Sequence, residues 1–161
     1  MRTLVIVAAA AVLLAGCASA QDDAPGGSAS PVATPACPET IEVSRGAYEP
    51  AAAAPEIGAF DSAWLCTYGY LEDWELLEGP VVIEDLAAVR EIVDGLEPAD
   101  VSLPCTMELG PELVLTLADG EDLTSLVIDT YGCRWVQVEG EEGLLSGSDT
   151  LLADLDALVT G

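Results

Sequence analysis

Residues 113–130 read Leu-Val-Leu-Thr-Leu-Ala-Asp-Gly-Glu-Asp-Leu-Thr-Ser-Leu-Val-Ile-Asp-Thr. Two apolar runs rich in β-branched residues flank Asp119-Gly120. That dipeptide favours hairpin turns, because glycine reaches the positive φ such turns need. The stretch predicts an antiparallel hairpin of residues 113–118 and 123–130. The spacing predicts a loop longer than the tightest turn, running through Glu121 and Asp122.

Working outward, residues 64–71 read as a strand, with Trp64, Cys66, Tyr68 and Tyr70 on one face by period two. Residues 74–83 can pair back on it, and residues 135–139 add a further strand. Residues 84–96 predict a helix whose apolar stripe is Leu86, Val89, Val93 and Leu96. Glu84 and Asp85 suit its positive end, and Gly95 and Pro98 stop it. Ser148 is placed to cap a last helix over 149–160, with Leu151, Leu152, Leu155, Leu158 and Val159 on its buried side. This order predicts an α+β domain: an antiparallel sheet of about five strands with two helices packed on one face.

The N-terminus carries a different signal. Residues 4–14 form an unbroken apolar run of 11 residues after Arg2. A membrane-spanning helix needs roughly 20 such residues, so this run suits the core of a secretory signal peptide instead. The run leads into Leu14-Ala15-Gly16-Cys17, which resembles the lipobox of bacterial lipoproteins. The resemblance implies cleavage after residue 16 and a diacylglyceryl group on Cys17. Two or more acyl chains on one residue hold a protein on a membrane without spanning it. The expected location is the outer face of the cell membrane. Residues 17–36, the lipidated cysteine and then an Ala-, Gly-, Ser- and Pro-rich stretch, have the composition of a flexible linker. Residues 37–161 are left as one globular domain, long enough for its own core.

Setting Cys17 aside leaves Cys37, Cys66, Cys105 and Cys133. An even number in an exported domain predicts two disulfides, for which three pairings are open. Cys37–Cys66 with Cys105–Cys133 is preferred, since it closes two loops of similar length. No Cys-x-x-Cys pair and no histidine supports a zinc site instead. Cys37-Pro38, Leu65-Cys66-Thr67-Tyr68, Pro104-Cys105, Asp119-Gly120 and Gly132-Cys133-Arg134 together resemble small uncharacterised lipoproteins of high-GC Gram-positive bacteria. That resemblance implies an address and a fold type, and no activity. Such proteins often carry arginine after the second cysteine, where this chain has Thr67, so no role is carried to that position.

Charge narrows function further. The chain has 29 acidic residues, four arginines and lysines together, and a net charge of −25. Such a field repels nucleic acid and anionic headgroups, which excludes a nucleic-acid partner and leaves the lipid anchor as the membrane contact. It favours an envelope protein of basic character or a cation as partner, and keeps the domain soluble and monomeric. The chain contains no histidine and no lysine. Ser-His-Asp, Cys-His and Schiff-base chemistry are therefore closed to it, and no phosphate loop or dinucleotide fingerprint is present. No enzyme activity and no cofactor are expected. The acid clusters Asp119, Glu121, Asp122 and Glu139, Glu141, Glu142 offer oxygens to calcium, but Thr130 stands where an EF-hand would place its twelfth-position glutamate. The stripe Trp64, Tyr68, Tyr70 is expected to pack the core around Cys66, and Arg134 to form a structural ion pair. The expected function is a membrane-anchored, non-enzymatic binding or interaction module. The alternatives are a tethered acidic inhibitor of a basic protein and a calcium-binding module.

Overall fold

The computed structural model describes residues 33–43, 48–106 and 108–160. Cys17 and all of the expected signal peptide lie outside them, as does the linker up to residue 32. The described chain runs through β1 (Thr40–Ile41), β2 (Ser62–Tyr70), β3 (Trp74–Val82), α1 (Leu86–Asp94), β4 (Glu97–Pro98), β5 (Glu112–Asp119), β6 (Asp122–Asp129), β7 (Trp135–Val138), β8 (Leu145–Ser146) and α2 (Leu151–Thr160). Among the described residues the strands form one sheet in the order β1-β3-β2-β5-β6-β7-β8-β4. Every pairing within it is antiparallel. The protein is thus α+β, with two helices, an antiparallel sheet and two disulfides.

The sheet has eight strands rather than about five. The five long ones are those that alternation predicts. The other three, β1, β4 and β8, have two residues each. A two-residue strand has no period to read, so its pairing is set by the rest of the fold. Both ends of the sheet are such short strands, and β3 runs on past β1 over residues 76–82. On β3, only Glu75 and Trp74 pair with β1. Pro80 falls beyond that pairing, where a missing N–H costs no ladder bond.

The hairpin loop is shorter than the spacing suggests. Asp119 pairs with Asp122, so the turn is Gly120-Glu121 alone. Gly120 has φ 62°, the positive value that a tight turn with glycine first requires. The dipeptide signal was shifted by one residue: Asp119 belongs to the strand.

Alternation divides the long strands between two cores. Ala63 and Leu65 of β2, Leu115 and Leu117 of β5, Leu126 and Ile128 of β6, and Val136 and Val138 of β7 share one buried cluster with Val89 and Val93 of α1 and Leu151 and Leu155 of α2. Helix α1 begins where Asp85 accepts a hydrogen bond from the Ala88 N–H at 3.0 Å. The Ser148 hydroxyl meets that of Thr150 at 3.1 Å, and Thr150 in turn donates to Asp154 at 2.8 Å. The first turn of α2 is therefore organised through Thr150 rather than by Ser148 alone.

The second cluster occupies the other sheet face. It joins Trp64, Cys66, Tyr68, Trp74, Val114 and Ala118 to Ala33, Cys37, Ile41 and Val43. The segment 33–43, here called the strap, supplies those last four residues and covers part of this face. Ala33 N–H donates to the Gly120 carbonyl at 2.8 Å. Residues 33–36, read from composition as the end of the linker, are therefore docked on the domain.

Candidate functional site

The site is built where the strap meets the sheet. Three alternate residues of β2 hold three successive residues of the strap. Trp64 Nε1 donates to the Ala36 carbonyl at 2.9 Å, Cys66 is bonded to Cys37, and the Tyr68 hydroxyl donates to the Pro38 carbonyl at 3.0 Å. Burial pushes the Tyr68 hydroxyl pKa above its usual 10.0. Gly79 permits this close approach. It has φ 119°, and a Cβ there would fall 2.8 Å from the Leu65 carbonyl oxygen and 2.9 Å from Cys37 Sγ.

Beyond β2 the strap stands over β5, β6 and β7, and the space between is a groove of about 330 Å³. Pro38, Ile41 and Val43 form its wall. Its floor carries Val114 and Thr116 of β5, Ser125 and Val127 of β6, and Gln137 of β7. Thr116 lies directly across from Ser125, whereas Gln137 lies across from Val127, so the three polar side chains share one face of three adjacent strands, with Gln137 diagonal to Ser125. Among the described residues, none of these three side chains hydrogen-bonds to another protein group. Glu42 and Glu139 stand at the rim. The volume lies in the range of small-ligand sites, roughly 300–1,000 Å³.

A smaller cavity of about 30 Å³ adjoins the groove and shares Val43, Val127 and Gln137 with it. That is room for about one water. Glu112 and Asp129 face each other across β5 and β6 on its floor, 1 % and 8 % exposed, and both are engaged in interactions. Tyr48 and Trp135 close this end, with ring centroids 5.4 Å apart.

The disulfides are Cys37–Cys66 and Cys105–Cys133, with sequence separations of 29 and 28 and Cα–Cα distances of 5.9 and 5.1 Å. Cys17 lies outside the described residues. The aromatic stripe divides: Trp64 and Tyr68 are buried, whereas Tyr70 is 53 % exposed at the strand end, edge-on to Trp74. Arg134 differs from expectation. It is exposed, has φ 55°, and among the described residues pairs with no carboxylate. The ion pair belongs to Arg90, which meets Asp94 at 3.6 Å, donates to the Ile57 and Gly58 carbonyls and lies over the Phe60 ring. Glu139, Glu141 and Glu142 border a separate depression with Glu56. Among the described residues no three metal-ligating side chains converge. Among them, too, no helix is long and apolar enough to cross a membrane.

Residue chemistry missed the groove. Its polar side chains fall on positions that alternation marks as one face, but a cover for that face is visible only once the strap is placed. No protein-family model matches the chain, and no similar curated protein or solved structure was found.

Proposed function

We propose that the chain is a lipoprotein of the outer face of a cell membrane, anchored through Cys17, whose domain binds a ligand without covalent chemistry. The groove beneath the strap is the binding site. The observation that carries this reading is the group Thr116, Ser125 and Gln137, whose side chains make no hydrogen bond to another described protein group and line a groove beside the apolar Ile41, Val43, Val114 and Val127. The Leu14-Ala15-Gly16-Cys17 motif supports the anchor. Two disulfides support an oxidising, extracytoplasmic setting. With carboxylates at the rim, the ligand is neutral or cationic, with an apolar body and two or three hydrogen-bonding groups.

Amide NMR titration of the domain with small neutral, cationic and anionic compounds tests the site. Shifts from neutral or cationic compounds should centre on Thr116, Ser125 and Gln137, and disappear in a folded Ser125→Trp variant. Shifts centred elsewhere, or surviving in that variant, would remove the groove assignment. The anchor is tested separately: Cys17→Ser should release the protein from membranes, and full retention would defeat that part.

A second reading, charge-driven capture of a basic protein, draws on the carboxylates gathered around the β5–β6 turn. Asp61 contacts Gly120 there, beside Asp119, Glu121 and Asp122. Such capture should be lost at about 0.5 M salt, where screening shortens to a few ångströms.

A further inference from the structure

The two ends of the sheet differ in chemistry. One end holds the Gly120-Glu121 turn, and the strap begins there through the Ala33–Gly120 hydrogen bond. Asp61, Asp119, Glu121 and Asp122 gather around it, with Glu139 alongside through its bond to the Ser125 carbonyl.

The opposite end is apolar and aromatic. Tyr70 ends β2 and Leu71 follows it, Leu103 and Leu109 precede β5, Tyr131 follows β6, and Tyr48 lies tilted against Trp135 at the start of β7. Of nine large exposed hydrophobic side chains among the described residues, this end carries six: Tyr48, Tyr70, Leu71, Leu103, Leu109 and Tyr131. Neighbouring strand ends lie about 5 Å apart, so those on β2, β5 and β6 fall within one patch. The patch is fixed in place. Cys105–Cys133 ties the segment before β5 to the loop after β6. The Tyr131 ring lies against Gly110, where an added Cβ would fall 1.8 Å from it. Beside it stands Arg134, exposed and paired with no described carboxylate in a chain of 29 acids. Its N–H donates to the Tyr131 carbonyl at 3.1 Å, which sets the turn that presents it.

We propose that this end is a docking surface for a protein partner that offers an apolar contact to Tyr131, Leu109 and Tyr48 and a carboxylate to Arg134. Tyr, Trp and Arg are the residues in which binding energy concentrates at interfaces. An arginine that pairs with no described carboxylate on so acidic a chain is complementary to a carboxylate from outside. Glu72, Asp73 and Glu108 border the patch and suit basic side chains around that central acid. A second copy is disfavoured, because two chains of net charge −25 repel. A membrane surface is disfavoured by the same charge, and because the first described residue, Ala33, lies at the opposite end. The proposal does not depend on the groove.

A photo-crosslinking residue placed at position 131 or 109 of the full chain, in its native envelope, tests it. Leu123, 56 % exposed beside the acidic turn, is the control position. Positions 131 and 109 should give one discrete protein adduct and position 123 none. Arg134→Glu should lower the adduct yield about tenfold, with an unchanged melting temperature, while Arg134→Lys retains most of it. Mapping should place a partner Asp or Glu within the crosslinked surface. Equal adducts at position 123, adducts only to lipid or to a second copy, or a yield unaffected by Arg134→Glu would overturn the proposal.

Discussion

Single residues on β2 account for how the domain holds its N-terminal segment. Trp64, Cys66 and Tyr68 sit two positions apart on one face, yet their strap partners Ala36, Cys37 and Pro38 are consecutive. Side chains of different reach make this match: an indole, a sulfur and a phenol meet backbone that does not follow the strand's own spacing. Tyr68 gives a pH signature. Its pKa is raised by burial, so its share of stability is complete below pH 10.0 and is lost as pH rises through the folded value. Melting temperature should therefore fall above that pH. Tyr68→Phe should cost about 1 kcal/mol at neutral pH, for the lost bond to Pro38, and flatten the alkaline fall. An equally steep fall in the variant would place the titrating group elsewhere.

At the scale of elements, helix α1 is short and depends on its start. Asp85→Ala removes the hydrogen bond to Ala88 and should cost about 1 kcal/mol, measured by urea denaturation, whereas Asp85→Asn should retain most of it. Long elements were legible because burial imposes a period on them: Leu115, Leu117, Leu126 and Ile128 alternate, and Val89, Val93 and Leu96 recur at helical spacing. The disulfide pairing was legible too, from loops of nearly equal length. The turn was misjudged by one residue because Asp119 is polar yet paired in the strand. Short strands and the strap were illegible for a different reason. Residues 37–43 have no repeating pattern, and what they bury is decided by residues far along the chain, such as Val114 and Val127. The groove inherits that illegibility. So does the lack of a described carboxylate partner for Arg134, since it depends on where the carboxylates end up.

For the molecule as a whole, acid dominates. With 29 acidic residues against four basic ones, folding brings like charges together, and screening should relieve the repulsion. Raising sodium chloride from about 0.02 M to about 0.5 M should raise the melting temperature by about 5 °C. A flat or falling response in circular dichroism melting would show that the carboxylates are too dispersed in the fold to repel appreciably. The Cys37–Cys66 bond has a mechanical consequence as well. A pull applied to the chain before residue 37 passes through this crosslink straight into β2, which lies inside the sheet between β3 and β5. That covalent path bypasses the loop closed between the two cysteines. The groove wall at Pro38, Ile41 and Val43 lies in that bypassed loop, so a pull on the N-terminus should break the Ala33–Gly120 and Trp64–Ala36 hydrogen bonds before it reaches the wall.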